Sequence, residues 1–307
     1  MTKTAFQPGN ATMLAPDLCC VLAPNPSPMT YWGTNTYLLG RDSLAIIDPG
    51  PDLDAHRRAI LAAIDGRPVT HILLTHSHLD HSPLAKPLGA ALNAPVLAFG
   101  NSSAGRSAVM TRLAQTGLTG GGEGIDRDFK PDQCLKDNEV LTEAWGQIKA
   151  LHTPGHIGNH LCFQWKDAVF TGDHVMGWAS SLVSPPDGDL TDFMRSCARL
   201  KGITAKTHYP GHGGPITDPQ ARLDWLIAHR RSREAQLLAA LQPGPGDVET
   251  LTQQLYADVT PALHKAAARN VFAHLVDLAE RGRIRATPQL ALDAKFELVT
   301  GRNADQT

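Results

Sequence analysis

The chain has 307 residues, of which 42% are hydrophobic and 19% charged, so it can bury an ordinary core and does not read as disordered. Its formal net charge of −2 excludes a global attraction to nucleic acid or to an anionic membrane. The five cysteines are scattered, no signal-peptide pattern is visible and no apolar run approaches the roughly 20 residues of a membrane span, so we predict a cytoplasmic protein with no membrane partner.

The first third of the chain predicts alternating strands and helices. Residues 36–47, "TYLLGRDSLAII", indicate two short strands around a Gly-Arg-Asp turn. Residues 52–64 place their apolar side chains on one helical face, and "VTHILLT" at 69–75 is typical of a buried strand. A short helix, "PLAKPLGAALNA", and another strand, "PVLAFG", are predicted next.

Strand patterns resume in the middle of the chain. They are "QIKALHT", "HLCFQW" and "DAVFTGD", and "DLTDFMRSCARL" predicts a helix after them. Strands that alternate with helices, together with hairpins between strands, predict a mixed α/β sandwich.

The last ninety or so residues change in character near Asp218. This residue is a predicted helix N-cap with proline at the first helical position, and a Pro/Gly-rich stretch ends the helix. Helices at about 248–257 and 261–281 and a hairpin from "GRIRATPQLALDAKFELV" complete a winged-helix-like unit. We therefore predict two domains, residues 1–216 and 217–307.

The segment "HILLTHSHLDHSPL" contains a dense cluster of candidate metal-binding side chains. It places His76, His78, Asp80 and His81 directly after a predicted strand. Side chains two positions apart converge where the backbone is extended or looped. Neutral imidazole and carboxylate suit zinc and related divalent ions, whereas the alternative for this segment alone is a solvated loop.

Three further segments repeat the placement of a polar residue after a strand. His156 lies in "HTPGHIGNH", Asp173 in "FTGDHV" and His212 in "YPGHGG". Sheet folds build sites from such strand ends and loops. The agreement of four segments favours a metal site over a solvated loop.

The order HxHxDH, TPGH, GD and GH, over about residues 30–215, resembles the metallo-β-lactamase fold hydrolases. The resemblance implies an αββα sandwich, followed here by the winged-helix-like domain, with a site for two metals. It implies that one ion is held by His76, His78 and His156. It implies that the other is held by Asp80, His81 and His212, and that Asp173 bridges both. It also implies that Asp48 supports the ligand loop. His160 stands where many relatives carry a histidine, either lining the pocket or as a hydrogen-bonded residue at a strand start.

The implied cofactor is a pair of zinc ions, for which iron or manganese could substitute. Two such ions, about 3.5 to 4 Å apart, can share a water and lower its pKa, which supplies a bridging hydroxide as nucleophile. Asp80, a ligand with a free carboxylate oxygen, could orient the hydroxide or relay a proton to the leaving group.

The C-terminal pattern resembles the winged-helix appendage of the β-lactamase-like protein 2 subgroup, which includes an endoribonuclease and thioesterases for carrier-bound polyketides. We favour hydrolysis of an acyl bond (thioester, ester or lactone) in a small molecule. The alternative is a metal-dependent endoribonuclease or phosphodiesterase that acts on single-stranded RNA. A DNA-binding regulator with a decayed hydrolase domain is a third class, and the intact ligand set argues against it.

The charges of the C-terminal region favour a packing role. Its arginine-rich run at 229–233 could contact phosphates, but residues 222–307 carry 11 Lys/Arg against 10 Asp/Glu, so we predict a solvated helix face. The third helix has a predicted buried face: Leu263, Ala267, Val271, Leu275 and Leu278. We predict a cap that forms part of the pocket and does not read duplex DNA; the oligomeric state is left open.

Overall fold

The computed structural model describes residues 6–120 and 124–299, so the outermost residues of both predicted domains lie outside the described residues. The strands of the described residues are β1 Ala11–Ala15, β2 Leu18–Leu22, β3 Asn35–Leu39, β4 Leu44–Ile47, β5 Val69–Leu73, β6 Val96–Ala98, β7 Gln133–Cys134, β8 Val140–Glu143, β9 Gly146–His152, β10 Leu161–Trp165, β11 Ala168–Gly172, β12 Thr207–Pro210, β13 Ile284–Thr287 and β14 Lys295–Leu298. The helices are α1 Asp54–Ile64, α2 Ala85–Leu92, α3 Ala108–Gln115, α4 Leu190–Lys201, α5 Pro219–Ala240, α6 Val248–Leu255 and α7 His264–Glu280, the last preceded by a 3₁₀ turn, Pro261–Leu263.

Two sheets form the centre of the molecule. In the part of the chain that the structure describes, the first sheet has the order β1-β2-β3-β4-β5-β6-β7, and the second has the order β12-β11-β10-β9-β8. The first sheet is antiparallel from β1 to β4 and parallel from β4 to β7. In the second sheet only the β11–β12 pair is parallel among the described pairs.

The inner strands β2, β3 and β4 are buried along their whole length because both faces of the sheet are covered there. In β3 the side chains of Tyr37 and Leu39 enter the core between the two sheets, which also contains Phe163 and Phe170 from the second sheet. Leu38, between them in sequence, points to the other face and packs in a separate cluster. A strand buried on both faces reads as a continuous apolar run, as the sequence has it.

Helices cover the outer faces of the two sheets. Ile60 and Ile64 of α1 and Leu88 of α2 pack on the outside of the first sheet. Residues of α4 and α5, including Phe193 and Leu223, pack on the outside of the second sheet. The order of layers is helix, sheet, sheet, helix, which confirms the predicted αββα sandwich.

The C-terminal elements form a further core of their own. Phe272 of α7 and Phe296 of β14 lie there with ring centroids 6.4 Å apart. Met110 and Leu113 of α3 enter the same core, so the sandwich and the C-terminal elements share apolar packing. The predicted buried face of the third helix is confirmed from Ala267 onward. The predicted domain boundary between residues 216 and 217 stays a prediction.

Asp218 begins α5 as the sequence predicts. Its side chain accepts a hydrogen bond from the backbone N–H of Ala221, and Pro219 occupies the first helical turn. The helix then runs for 22 residues and contacts both α4 and α6. None of the helices in residues 6–120 and 124–299 is long and apolar enough to cross a membrane.

We expect Phe296→Ala to lower the free energy of unfolding by about 3–5 kcal/mol, because it leaves a cavity in the C-terminal core. Val299→Ala, one residue past the same strand and 46% exposed, is the matched control and should change stability by less than about 0.5 kcal/mol. Urea denaturation followed by circular dichroism measures both. Equal losses in the two variants would contradict the packing described for β14.

Candidate metal centre

The loop after β5 carries four of the predicted site residues. The chain stays extended to Leu74, whose N–H bonds to the carbonyl of Leu97, and then turns at His78, whose carbonyl accepts from the N–H groups of His81 and Ser82. This turn brings Asp80 and His81 back towards the strand end. The loop therefore presents its imidazoles and its carboxylate on one side.

Three strands of the second sheet position the remaining predicted site residues. His156 follows β9, Asp173 follows β11 directly, and His212 follows β12. Gly211 makes this approach feasible, because a Cβ there would lie 2.4 Å from Asp173 Oδ1. The four segments meet at one end of the sandwich, and each of the seven residues is at most 7% exposed: His76, His78, Asp80, His81, His156, Asp173 and His212.

One group consists of three imidazoles. His78 Nδ1 lies 3.0 Å from His76 Nε2 and 2.9 Å from His156 Nε2. A neutral imidazole has a single N–H, so three ring nitrogens that face one another cannot all be paired by hydrogen bonds. Such a convergence of lone pairs suits a cation.

The other group mixes two imidazoles with two carboxylates. Asp80 Oδ2 lies 3.3 Å from His81 Nε2 and 3.1 Å from His212 Nε2. Asp173 contacts the same two rings, with Oδ1 3.4 Å from His81 Nε2 and Oδ2 3.3 Å from His212 Nε2. Atoms of these four side chains lie within 4.8 Å of one another, as do those of the imidazole group.

Asp173 lies between the two groups. Its Oδ2 atom is 3.7 Å from His156 Nε2 of the first group and 3.3 Å from His212 Nε2 of the second. This is the position of a carboxylate that can contact ions in both groups at once.

The far side of most of these rings is held by a hydrogen bond. His81 Nδ1 lies 2.9 Å from Asp48 Oδ2, and Asp48 also accepts from the N–H and the hydroxyl of Thr75 at 2.7 Å each. His156 Nδ1 lies 2.7 Å from the carbonyl of Leu182, and His212 Nδ1 lies 3.1 Å from that of Gly33. Such bonds fix the ring orientation and the tautomer, as they do in metal sites.

Burial and charge give the two groups different protonation states. Burial lowers the pKa of His76 and His156, and lowers that of His78 to about 3, so these imidazoles are neutral. Burial works against protonation of His81 and His212, but the neighbouring carboxylates outweigh it and raise the pKa of both, that of His212 to about 10, so these two rings bind a metal only after losing a proton. Burial works against ionisation of Asp173, but the neighbouring His212 and His81 outweigh it and hold its pKa well below the usual value. The carboxylate is therefore charged, which favours a nearby cation.

The donor set fits divalent cations on a further observation. Asp80 Oδ1, His81 Nε2 and Asp173 Oδ1 are buried and have no hydrogen-bond partner among the described residues. An unpaired buried polar atom costs about 1–3 kcal/mol, and all three face the cluster of ligand-type side chains. An ion in the group with two carboxylates would use His81 Nε2 and Asp173 Oδ1.

A profile of the metallo-beta-lactamase superfamily matches residues 29–212. This chain belongs to that superfamily. A second profile, of the beta-lactamase associated winged helix domain, matches residues 248–291, which confirms the winged-helix prediction. The chain is accordingly an enzyme, a hydrolase of the metallo-β-lactamase superfamily.

Relatives of similar length support this membership. The chain is 30% identical over 285 residues to the beta-lactamase-like protein 2 homolog of Drosophila melanogaster, which covers 90% of this chain and 92% of the relative. It is 32% identical over 238 residues to the atrochrysone carboxyl ACP thioesterase of Aspergillus fumigatus, covering 75% of this chain and 66% of that protein.

Solved structures share the fold. A metallo-beta-lactamase family protein from Thermus thermophilus gives a TM-score of 0.74 at 27% identity. The match covers 94% of this chain and 100% of the Thermus protein. A beta-lactamase domain protein from Burkholderia ambifaria gives 0.79 at 20% identity, covering 97% and 96% of the two chains, and shows the fold alone.

His160 lies behind the centre of this superfamily hydrolase. Its ring stacks on that of His76 with centroids 5.2 Å apart, and its Nδ1 lies 3.0 Å from Thr153 Oγ1. The side chain is 0% exposed. His160 is thus a buried residue immediately before β10, in contact with a predicted ligand.

The prediction for the arginine-rich run of α5 is wrong at one residue. Arg230 is 2% exposed and not solvated. Its guanidinium donates to the carbonyl of Ser181 and, at 3.0 Å, to Asn270 Oδ1, and it lies 5.1 Å from the ring centroid of Phe193. A sequence signal was present but too weak to use, since helical spacing puts position 230 on the face of Leu223 and Leu226.

Arg230 and Asn270 act on the segment that orients His156. Asn270 Oδ1 also accepts from the N–H of Val183, at 3.1 Å. The carbonyl of Leu182, between Ser181 and Val183, is the one that faces His156 Nδ1. Sequence reasoning missed this link, in which C-terminal helices reach a predicted ligand through one backbone carbonyl.

We expect Asn270→Ala to weaken the binding of divalent metal by about 10-fold, because the Leu182 carbonyl loses its support and His156 its orientation. Competition with a chromophoric chelator measures the affinity, and thermal unfolding of the same samples reports any general loss of stability. Asn10→Ala, at an exposed residue, is the matched control. Unchanged metal affinity in the Asn270 variant would contradict the link.

Proposed function

We propose that the chain is a binuclear-metal hydrolase that cleaves an acyl bond (thioester, ester or lactone) of a small molecule. The observation that carries this proposal is the convergence of seven ligand-type side chains into two groups that share Asp173. In the proposal His76, His78 and His156 hold one ion, and Asp80, His81 and His212 hold the other.

Zinc is the proposed ion, because nitrogen and carboxylate donors in a compact buried site suit it, and iron or manganese suit the same donors. When bound, the ions supply activated water at neutral pH and an electrophile for the carbonyl oxygen of the substrate. Asp48 and the carbonyls of Leu182 and Gly33 keep the ring nitrogens aimed at the ions.

Asp80 has the position for proton transfer in the proposed reaction. Its Oδ2 atom faces His81 and His212, whereas its Oδ1 atom has no hydrogen-bond partner among the described residues. In hydrolysis the oxygen of water bonds to the acyl carbon, the bond to sulfur or oxygen breaks, and a proton passes to the leaving group. Oδ1 of Asp80 can accept that proton and return it.

Two observations support an acyl substrate over RNA. One relative, 32% identical over 238 residues, is named an atrochrysone carboxyl ACP thioesterase. The arginine-rich run of α5 has fewer guanidinium groups available for contacts with RNA phosphates than its sequence suggests. Arg230 is buried, and Arg233 donates to the carbonyl of Leu255. Cleavage of single-stranded RNA is the second candidate, and duplex DNA is not a proposed partner. The cytoplasmic location remains part of the proposal, supported by cysteines that are all free within the described residues.

An activity panel on the zinc-loaded protein tests the choice of bond. It contains acyl thioesters, lactones, bis(p-nitrophenyl) phosphate and a short single-stranded RNA. We expect kcat/KM to be highest for an acyl substrate and to fall by more than about 100-fold in Asp80→Asn, which keeps the shape of the side chain but loses its charge. Cleavage of RNA or of the phosphodiester ahead of every acyl substrate would overturn the acyl proposal.

Metal content tests the two-group arrangement independently of activity. We expect about two ions per chain in protein purified without chelator, about one in His212→Ala, and less than one in Asp173→Ala, because Asp173 contacts both groups. Elemental analysis after gel filtration gives the ratio, and circular dichroism confirms that the variants fold. Equal metal loss in the two variants would contradict the bridging position of Asp173.

A further inference from the structure

An apolar cavity of about 200 Å³ lies between the sandwich and the C-terminal helices. Its wall on the side of the sandwich includes Met29, Trp178 and Leu182. Its wall on the C-terminal side includes Val259, Leu263 and Ala266. None of the described residues that line the cavity is charged.

Two residues of the cavity wall contact the loops that carry predicted metal ligands. Leu182 contributes both to the wall and, through its carbonyl, to the hydrogen bond with His156 Nδ1 at 2.7 Å. The indole of Trp178 packs against Gly213, the residue after His212: a Cβ on this glycine would lie 2.8 Å from Trp178 Cδ1. Residues of the cavity wall therefore contact His156 itself and the residue that follows His212.

A stack of aromatic rings fixes the wall that Trp178 forms. Tyr31 stacks on Trp178 with ring centroids 4.7 Å apart, and on Trp32 at the same distance of 4.7 Å. The carbonyl oxygen of the next residue, Gly33, lies 3.1 Å from His212 Nδ1. The Nε1–H group of Trp178 is buried and has no hydrogen-bond partner among the described residues.

The size and lining of the cavity select the chemistry of its occupant. A cavity of 150 Å³ lined by apolar side chains can bind benzene, whereas drug-sized ligands need 300 Å³ or more. The volume here, about 200 Å³, lies between these and matches a medium alkyl chain or one aromatic ring. Methionine side chains on the sandwich wall can adapt to either shape.

We propose that this cavity binds the apolar part of an acyl group while the acyl carbonyl lies at the metal centre. The proposal rests on the proposed acyl hydrolase function and names its substrate class: thioesters or esters of medium-chain or aryl carboxylic acids. Since residues of the C-terminal domain form one wall, that domain determines which acyl groups are accepted. The winged-helix elements are then part of the substrate site.

The variant Ala266→Trp tests the proposal, because Ala266 is partly exposed on the C-terminal wall and an indole there fills much of the volume. Ala235→Trp is the matched control, the same substitution at an exposed position of α5. The substrates are S-octanoyl and S-acetyl N-acetylcysteamine, assayed with the zinc-loaded protein. We expect Ala266→Trp to lower kcat/KM for the octanoyl thioester by about 10-fold or more and that for the acetyl thioester by less than about 3-fold. Ala235→Trp should alter neither.

The outcomes distinguish failure of the proposed acyl pocket from failure of the proposed hydrolase function. An equal effect of Ala266→Trp on both thioesters, or none on either, overturns the acyl pocket while acyl hydrolysis stands. If the wild-type protein hydrolyses neither these thioesters nor any acyl substrate of the activity panel, the proposed function fails, and the binding measurement alone tests the cavity.

Thermal unfolding with octanoate, and with acetate as the reference anion, provides this binding measurement in metal-free and zinc-loaded protein. We expect octanoate to raise the Tm of the wild type and of Ala235→Trp more than acetate does, and this difference to vanish in Ala266→Trp. An octanoate effect that persists in Ala266→Trp, or that is missing from the wild type, overturns the proposal.

Discussion

The structure depends on keeping seven polar side chains together in a place that water hardly reaches. Each loses hydration there, and the nitrogen lone pairs of His76, His78 and His156 face one another at about hydrogen-bond distance. Buried polar atoms without partners are costly, by about 1–3 kcal/mol each, so the surrounding scaffold must hold them rigidly. The ends of strands from two packed sheets supply that rigidity, and a bound cation would turn the repulsion into attraction. Metal binding would then contribute directly to folding stability.

The scaffold around the centre includes more than the sandwich. Two arginines of α5 bind the irregular segment 176–183: Arg222 donates to the carbonyls of Met176 and Ala179 at 2.6 Å each, and Arg230 donates to that of Ser181. A buried guanidinium is stable only where carbonyl groups and ring faces accept its protons, which is what Ser181, Asn270 and Phe193 provide. Helix α5 therefore belongs to the support of the centre as much as to the C-terminal core.

The site was predictable because its signals are local, whereas its support, apart from Asp48, was not. A histidine or aspartate directly after an apolar strand can be read from a few residues, and the seven side chains predicted as ligands do lie together. The buried position of Arg230 depends on carbonyl groups about fifty residues away, and no local pattern encodes those partners. Strand β2, "LCCVL", was missed as well, and so was helix α3, which has only two buried side chains, Met110 and Leu113.

Segment 176–183 contacts both the candidate metal centre and the apolar cavity. One side of it, through the Leu182 carbonyl, sets the direction of a predicted ligand, and the other side, through Trp178 and Leu182, forms a wall of the apolar cavity. If an acyl group binds as proposed, we expect an occupant that moves this wall to shift His156 as well, and the affinity for the occupant and the affinity for metal would then be coupled. Such coupling is reciprocal by thermodynamic necessity: whatever factor an occupant applies to metal binding, the metal applies to binding of that occupant. The segment's bonds to α5 and α7 determine how large that factor is, because a more tightly held wall transmits less movement. Under the proposed function, the C-terminal helices would therefore tune acyl recognition and metal retention through the same few hydrogen bonds.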